Sequence, residues 1–148
     1  MTRRCSDAGL AVLKRWEGLP GGWPALVAYK DTGGVWTIGW GHTKGVKEGM
    51  ICTKMQAEKW LREDLAAAEA CVDGSVRVPL GDNQFAALCL FAFNVGITAF
   101  RDSTLLKLLN GGNYAAVPSQ LLLWVHDNGK VVQGLVNRRK AEIQLWHG

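Results

Sequence analysis

Three residues near the start of the chain are of types that can do chemistry together. Glu17 closes an apolar helical pattern, Asp31 stands in "YKDTGG", and Thr37 stands in "VWTIGW". A carboxyl at a helix end, then an acid on a strand, then a hydroxyl, suit glycoside hydrolysis. That reaction needs one acid kept protonated to give its proton to the leaving oxygen, and a second group to activate water or stabilise positive charge. Glu17 lies beside Trp16 after an apolar face, where desolvation favours the neutral acid, whereas Asp31 has a wetter, turn-like setting. Two acids 14 residues apart also read simply as a helix-end Glu and a turn Asp, so these residues alone do not select an activity.

The flanking pattern says what must hold them. Leu10, Leu13 and Trp16, with Val12 beside them, recur at helical spacing after Ser6 and Asp7, either of which can cap, so a first helix ends near Glu17. Gly18, Pro20, Gly21, Gly22 and Pro24 forbid more helix, and "LVAYKD" and "VWTIGW" around "TGG" predict a small β-hairpin. "TKMQ" from Thr53 to Gln56 matches a capping box and opens a helix to about Val72. Its apolar face of Ala57, Trp60, Leu61, Leu65 and Ala68 includes Asp64, an acid that needs a partner if it is drawn into the core.

"FAALCLFAFNVG" is apolar all round and predicts a central helix stopped near Asn94 and Gly96. Three shorter helices are expected after it. They are "STLLKLLNGG" capped by Ser103, "NYAAVPSQLLLW" kinked or restarted at Pro118, and "LVNRRKAEIQLW". The architecture is α+β, one domain over residues 1–148. A small hairpin lobe (about 18–52) is joined by a long helix to a helical lobe (about 73–148) that includes the N-terminal helix.

Composition sets the outer bounds. Hydrophobic residues make up 48% and charged residues 20% of 148, enough for one substantial core and far from a disordered chain. The net charge of +4 favours anionic partners such as nucleic acid, lipid headgroups or acidic wall polymer. The basic residues do not interleave with aromatics as in a strand-binding platform, so nucleic acid is not an expected partner. Cys5, Cys52, Cys71 and Cys89 lack metal-site spacing and read as reduced thiols, with Cys89 in the core; His42, His126 and His147 are scattered, so neither metal nor cofactor is expected. The N-terminus is too polar for a signal peptide and no window reaches membrane-spanning length, which predicts folding in a cytoplasm without a stable membrane anchor.

A series of fragments in fixed order goes further. "EG" at 17–18, "AYKD" at 28–31, "GGVWTIGWGHT" at 33–43, "FNVG" at 93–96, "FRDSTLLKLLN" at 100–110 and "WVHDNGKVVQGLVNRRKAE" at 124–142 together resemble the phage lysozyme (endolysin) family, glycoside hydrolase family 24. The resemblance covers nearly the whole chain. It implies a lysozyme-like fold and hydrolysis of the β-1,4 bond between N-acetylmuramic acid and N-acetylglucosamine in bacterial peptidoglycan. It further implies a monomer that waits in the host cytoplasm and reaches the periplasm and cell wall after release through a holin. Two readings stand beside it: a lytic transglycosylase, which needs an acid but no water-activating pair, and a non-catalytic wall-binding phage structural protein that keeps the fold.

By motif match, Glu17 resembles the family's general acid, Asp31 its second carboxylate and Thr37 the hydroxyl that helps hold the attacking water. The spacing from Asp31 to Thr37 agrees with the family. The 13 residues between Glu17 and Asp31 exceed it, and the excess is expected in "PGGWP", where Trp23 either reaches over substrate or covers the small lobe. The resemblance also supplies the partner that Asp64 needs, His42 of "GHT", as a structural pair. It assigns Arg138, with Arg139 the alternative, to pair with the catalytic Glu, and it places Asn94 and Trp124 along the substrate-binding cleft.

Overall fold

The computed structural model describes residues 2–148. Its elements in chain order are α1 (Asp7–Glu17), β1 (Ala25–Lys30), β2 (Trp36–Gly39), α2 (Lys54–Ser75), α3 (Asp82–Val95), α4 (Ile97–Arg101) and α5 (Thr104–Asn110). A single 3-10 turn (Tyr114–Ala116), α6 (Val117–Leu121), β3 (His126–Asp127), β4 (Lys130–Val131) and α7 (Gln133–His147) follow. The chain divides into two compact units, Ala11–Ala66 and Met1–Leu10 with Ala67–Gly148, so the divisions fall inside α1 and α2. The unit holding the hairpin thus takes in parts of α1 and α2 on either side of the expected 18–52 span.

In the first unit, α1 contributes Leu13, and α2 contributes Ala57, Leu61 and Leu65, all at most 1% exposed. α2 starts where the capping box predicts. The Gln56 amide N–H donates to Thr53 Oγ1 at 3.1 Å, and the Thr53 N–H donates to Gln56 Oε1 at 2.9 Å, so two helix-end donors are satisfied reciprocally. β1 and β2 pair antiparallel with Tyr29 opposite Thr37 and Lys30 opposite Trp36. The register shifts between Ala25 and Tyr29, and there the bulged strand turns its other edge to residues 50–52: Ala28 N donates to Met50 O, and Cys52 N to Leu26 O, both at 2.9 Å.

The long spacer after Glu17 closes on itself. Leu19 N donates to Trp23 O at 2.8 Å and Gly22 N to Leu19 O at 2.9 Å, while the Trp40 indole N–H donates to Gly22 O at 2.9 Å. The residues of "PGGWP" thus form a tight turn pinned to the core by buried Trp40.

In the second unit α3 is apolar on every side, and Phe85 to Ala92 are buried without a break. It packs chiefly on α7 and on α4. Burying each of its Phe and Leu side chains is worth roughly 1.5–3 kcal/mol. Ser103 caps α5 by accepting from Leu106 N at 3.1 Å. Pro118 stands in the first turn of α6, where a missing N–H costs nothing, so the chain restarts there after the 3-10 turn.

Two features differ from expectation. A short α4 intervenes before α5, and β3 pairs with β4 across Asn128 (φ 51) and Gly129 (φ 76). Asn-Gly with both residues at positive φ is the chemistry of a two-residue hairpin turn. All four cysteines are free thiols, and burial pushes the Cys89 thiol well up. Among the described residues no helix is long and apolar enough to cross a membrane.

Thr53→Ala removes the hydroxyl half of the capping box without touching the core. It is expected to lower stability by about 1 kcal/mol, read from a denaturant midpoint at unchanged slope.

Candidate active site

Asp31 and Thr37 are fixed by one turn. Asp31 Oδ1 accepts from the N–H groups of Gly33 and Val35, both at 2.9 Å, and Asp31 N donates to Val35 O at 3.0 Å. The Thr37 hydroxyl donates to that same Val35 O at 2.9 Å. Asp31 is exposed while Thr37 is buried. An oxygen that has given its proton to a carbonyl keeps lone pairs for an incoming donor. Asp31 Oδ2 likewise takes no hydrogen bond from the described residues, so acid and hydroxyl both offer acceptors.

Tyr29, directly opposite Thr37, was not singled out by residue type. Burial first, then the negative charges of Asp31 and Glu17, push its phenol up, which keeps it a neutral donor close to both acids. The strand pairing reveals it, since residues directly opposite on paired strands share a face of the sheet.

Glu17, half-buried at the end of α1, packs over Gly41. A Cβ on Gly41 would stand 2.8 Å from Glu17 Oε2, and the backbone there has φ +75. Both facts demand glycine, so the residue before His42 in "GHT" makes room for the acid. His42 itself is turned to α2. Its Nδ1–H donates to Asp64 Oδ2 at 2.8 Å, and its ring stacks on Trp60 with centroids 4.7 Å apart and planes at 4°. A carboxylate only accepts, so the shared proton is on Nδ1. His42 is 6% exposed and the Asp64 side chain 27%, so the acid sits at the margin of the core rather than deep within it. Trp23 is 64% exposed, with Lys54 Nζ 5.7 Å from its ring centroid.

The remaining expected residues lie in the second unit. Asn94 and Trp124 border a cavity of about 350 Å³ together with His126, Leu135 and Arg139. Trp124 also packs edge-on against Phe91, with centroids 5.5 Å apart, so it is shared between core and cavity. Arg138 is half-buried on α7. Arg139, weighed as its alternative, is wholly buried and engaged within its own unit.

Arg139 Nη2 donates to Asn94 Oδ1 at 2.6 Å and to Glu142 Oε2 at 3.2 Å, and Nη1 donates to Trp124 O at 3.4 Å. Nε lies 2.8 Å from Glu142 Oε1 but outside hydrogen-bond geometry, so that contact is chiefly coulombic. The guanidinium also lies 5.1 Å from the Phe91 ring centroid. Burial pushes the Glu142 carboxyl up to about 8 against the opposing pull of Arg139 and Arg138. Burial also lowers Arg139, with Glu142 drawing it back. "RRKAE" placed this pair at helical i,i+3 spacing, but the helix's face was not decided by so weak an apolar pattern. Among the described residues no cluster of His, Cys, Asp and Glu could hold a metal ion.

A family model described as phage lysozyme matches residues 14–142. An endolysin of Acyrthosiphon pisum secondary endosymbiont phage 1 is 43% identical over 145 residues, covering 95% of this chain and 96% of its own. Two solved structures align over 99% of the chain at 35% identity. The muramidase domain of SpmX from Asticaccaulis excentricus, so described, has a TM-score of 0.86 with 99% of it covered, and the endolysin from Escherichia coli O157:H7 phage FAHEc1 has 0.87 with 94% covered.

Asp64→Asn keeps an acceptor for His42 but removes its charge. A loss of about 1 kcal/mol is expected in chemical denaturation, and an unchanged midpoint would discard the pair as a stabilising contact. Glu142 sets a pH dependence. The folded chain holds its proton more tightly than the unfolded chain, whose carboxyl titrates near 4.5, so its contribution is complete below about 4.5 and is lost as pH rises through about 8. Across that window the thermal midpoint of the wild type should fall more steeply than that of Glu142→Gln; parallel curves would contradict the shift.

Proposed function

The chain belongs to the phage lysozyme family, and from that premise we propose that it is an endolysin muramidase. It hydrolyses the β-1,4 bond between N-acetylmuramic acid and N-acetylglucosamine in bacterial peptidoglycan and so lyses the host cell. The observation that carries this reading is the backbone of Val35, which holds Asp31 through its N–H and Thr37 through its carbonyl.

A water between them has two acceptors for its two hydrogens, Thr37 Oγ1 and Asp31 Oδ2, and its lone pair is left for the anomeric carbon of the muramic residue. Glu17, in its acid form, gives its proton to the glycosidic oxygen, which leaves as the hydroxyl of the glucosamine residue. As the C–O bond to water forms, Asp31 takes the water's proton, and the new hydroxyl stands on the face opposite the one that left. Tyr29 and Gly41 act on this chemistry indirectly, by flanking the acids and by clearing space for Glu17. His42 and Asp64 hold α2 against the hairpin's "GHT" turn. Trp23 offers an exposed ring to the glycan, and Arg138 is the cation assigned to the catalytic acid.

The net charge of +4 suits a wall rich in carboxylates. In this reading the enzyme acts as a monomer, without cofactor, metal or nucleic-acid partner. It accumulates in the host cytoplasm and meets the wall when a holin opens the membrane.

Glu17→Gln is expected to abolish lysis of outer-membrane-permeabilised cells while its circular dichroism matches that of the wild type. Wild-type lysis by that variant would remove Glu17 from the mechanism. Mass spectrometry of digested peptidoglycan should show reducing muramic ends; anhydro ends would mark a transglycosylase instead.

A further inference from the structure

α7 carries into the core two groups that apolar side chains could replace. Arg139 has 0% exposure and Glu142 3%, and a buried pair of this kind contributes little to stability over well-packed hydrophobic residues. What the pair does contribute is direction. The guanidinium is a rigid fork of donors with no acceptor, and here it joins α7 to the end of α3 and to the segment after α6.

The shortest of its contacts settles an orientation. Arg139 Nη2 lies 2.6 Å from the Asn94 side chain, and only Oδ1 can face a donor, so the Asn94 Nδ2 hydrogens point away from Arg139. They donate to no other described residue. Asn94 borders the cavity of about 350 Å³, whose wall also carries Trp124, the residue whose carbonyl takes the next arm of the fork. Glu142 completes the arrangement by bracing the other edge of the guanidinium, through a hydrogen bond from Nη2 and a 2.8 Å coulombic contact at Nε, which opposes swinging of the fork.

We propose that the Arg139–Glu142 pair is a positioning device that locks the Asn94 amide with its donor side to the cavity, making that wall selective for a carbonyl oxygen of the bound wall polymer. This rests on the endolysin reading. Such a carbonyl comes either from the acetamido group of a sugar or from the stem peptide. The lock spares the ligand the cost of turning the amide on binding, and an alternative ligand that offers a donor there would meet only unpaired donors.

The test uses calorimetric binding of solubilised peptidoglycan fragments in the Glu17→Gln background, so that affinity is read without turnover. Asn94→Asp keeps an oxygen for Arg139 but presents an acceptor to the cavity. It should weaken binding at least about tenfold at an unchanged thermal midpoint. The same loss with fragments stripped of stem peptide identifies the acetamido group, and a loss confined to intact fragments identifies the peptide. Arg139→Met with Glu142→Leu removes the lock while burying no charge. It should fold with a midpoint at or above that of the parent yet bind about threefold more weakly or worse, because the amide can now turn. Unchanged affinity in Asn94→Asp would overturn the proposal. So would a loss in the double variant that appears only together with a lowered midpoint. Neither result bears on the endolysin reading, which stands or falls on the lysis and product analysis of the catalytically intact chain.

Discussion

The backbone of Val35 is the constraint on which the hairpin's chemistry depends. Its N–H holds the Asp31 carboxylate, and its carbonyl accepts both from the Asp31 backbone and from the Thr37 hydroxyl. Neither residue is held by a long side-chain network. Because both are tied to one residue, only the φ and ψ of Val35 separate the groups that hold them, and their separation is set locally more than by distant packing. Gly34, at φ +79, makes this possible by letting the chain fold back tightly enough for one residue to serve two clients.

The second unit orders its polar residues differently. There the organising group is a side chain, the Arg139 guanidinium, which binds a carboxyl, an amide oxygen, a main-chain carbonyl and an aromatic face at once. Such a centre tolerates little change, since removing one partner leaves the others with a buried donor to satisfy. A core locked by one guanidinium accepts change only in concert, with the cation and its carboxyl partner replaced together.

Local signals were legible where a residue's job is decided within a few positions of it. The Thr53 capping box, the Ser103 cap, the Pro118 restart and the apolar run of α3 all follow from neighbouring residues, and each forms as expected. The pairing of His42 with Asp64 was half legible: the helical count required a partner for the acid, and the motif resemblance chose it. Tyr29 and Glu142 were missed because their roles depend on which residue stands across a sheet or which face of α7 turns inward. α7 has polar residues around much of its circumference, so periodicity could not show that Arg139 is buried and Lys140 exposed. The β3–β4 hairpin was missed for another reason. Its two-residue strands are too short to show alternation, and only the Asn-Gly turn announced them.

The spacer after Glu17 shows how an enzyme can vary in length beside its most exacting residues. Leu19 and Trp23 bond across its base, and the Trp40 indole anchors Gly22, so the segment's two ends meet whatever lies at the tip. Extra chain there is contour without leverage: it lengthens the path while leaving the exit from α1 and the entry to β1 where they were. That makes the tip a natural grafting port, a place where a foreign peptide can be displayed next to the acids while the geometry beneath it stays as it is.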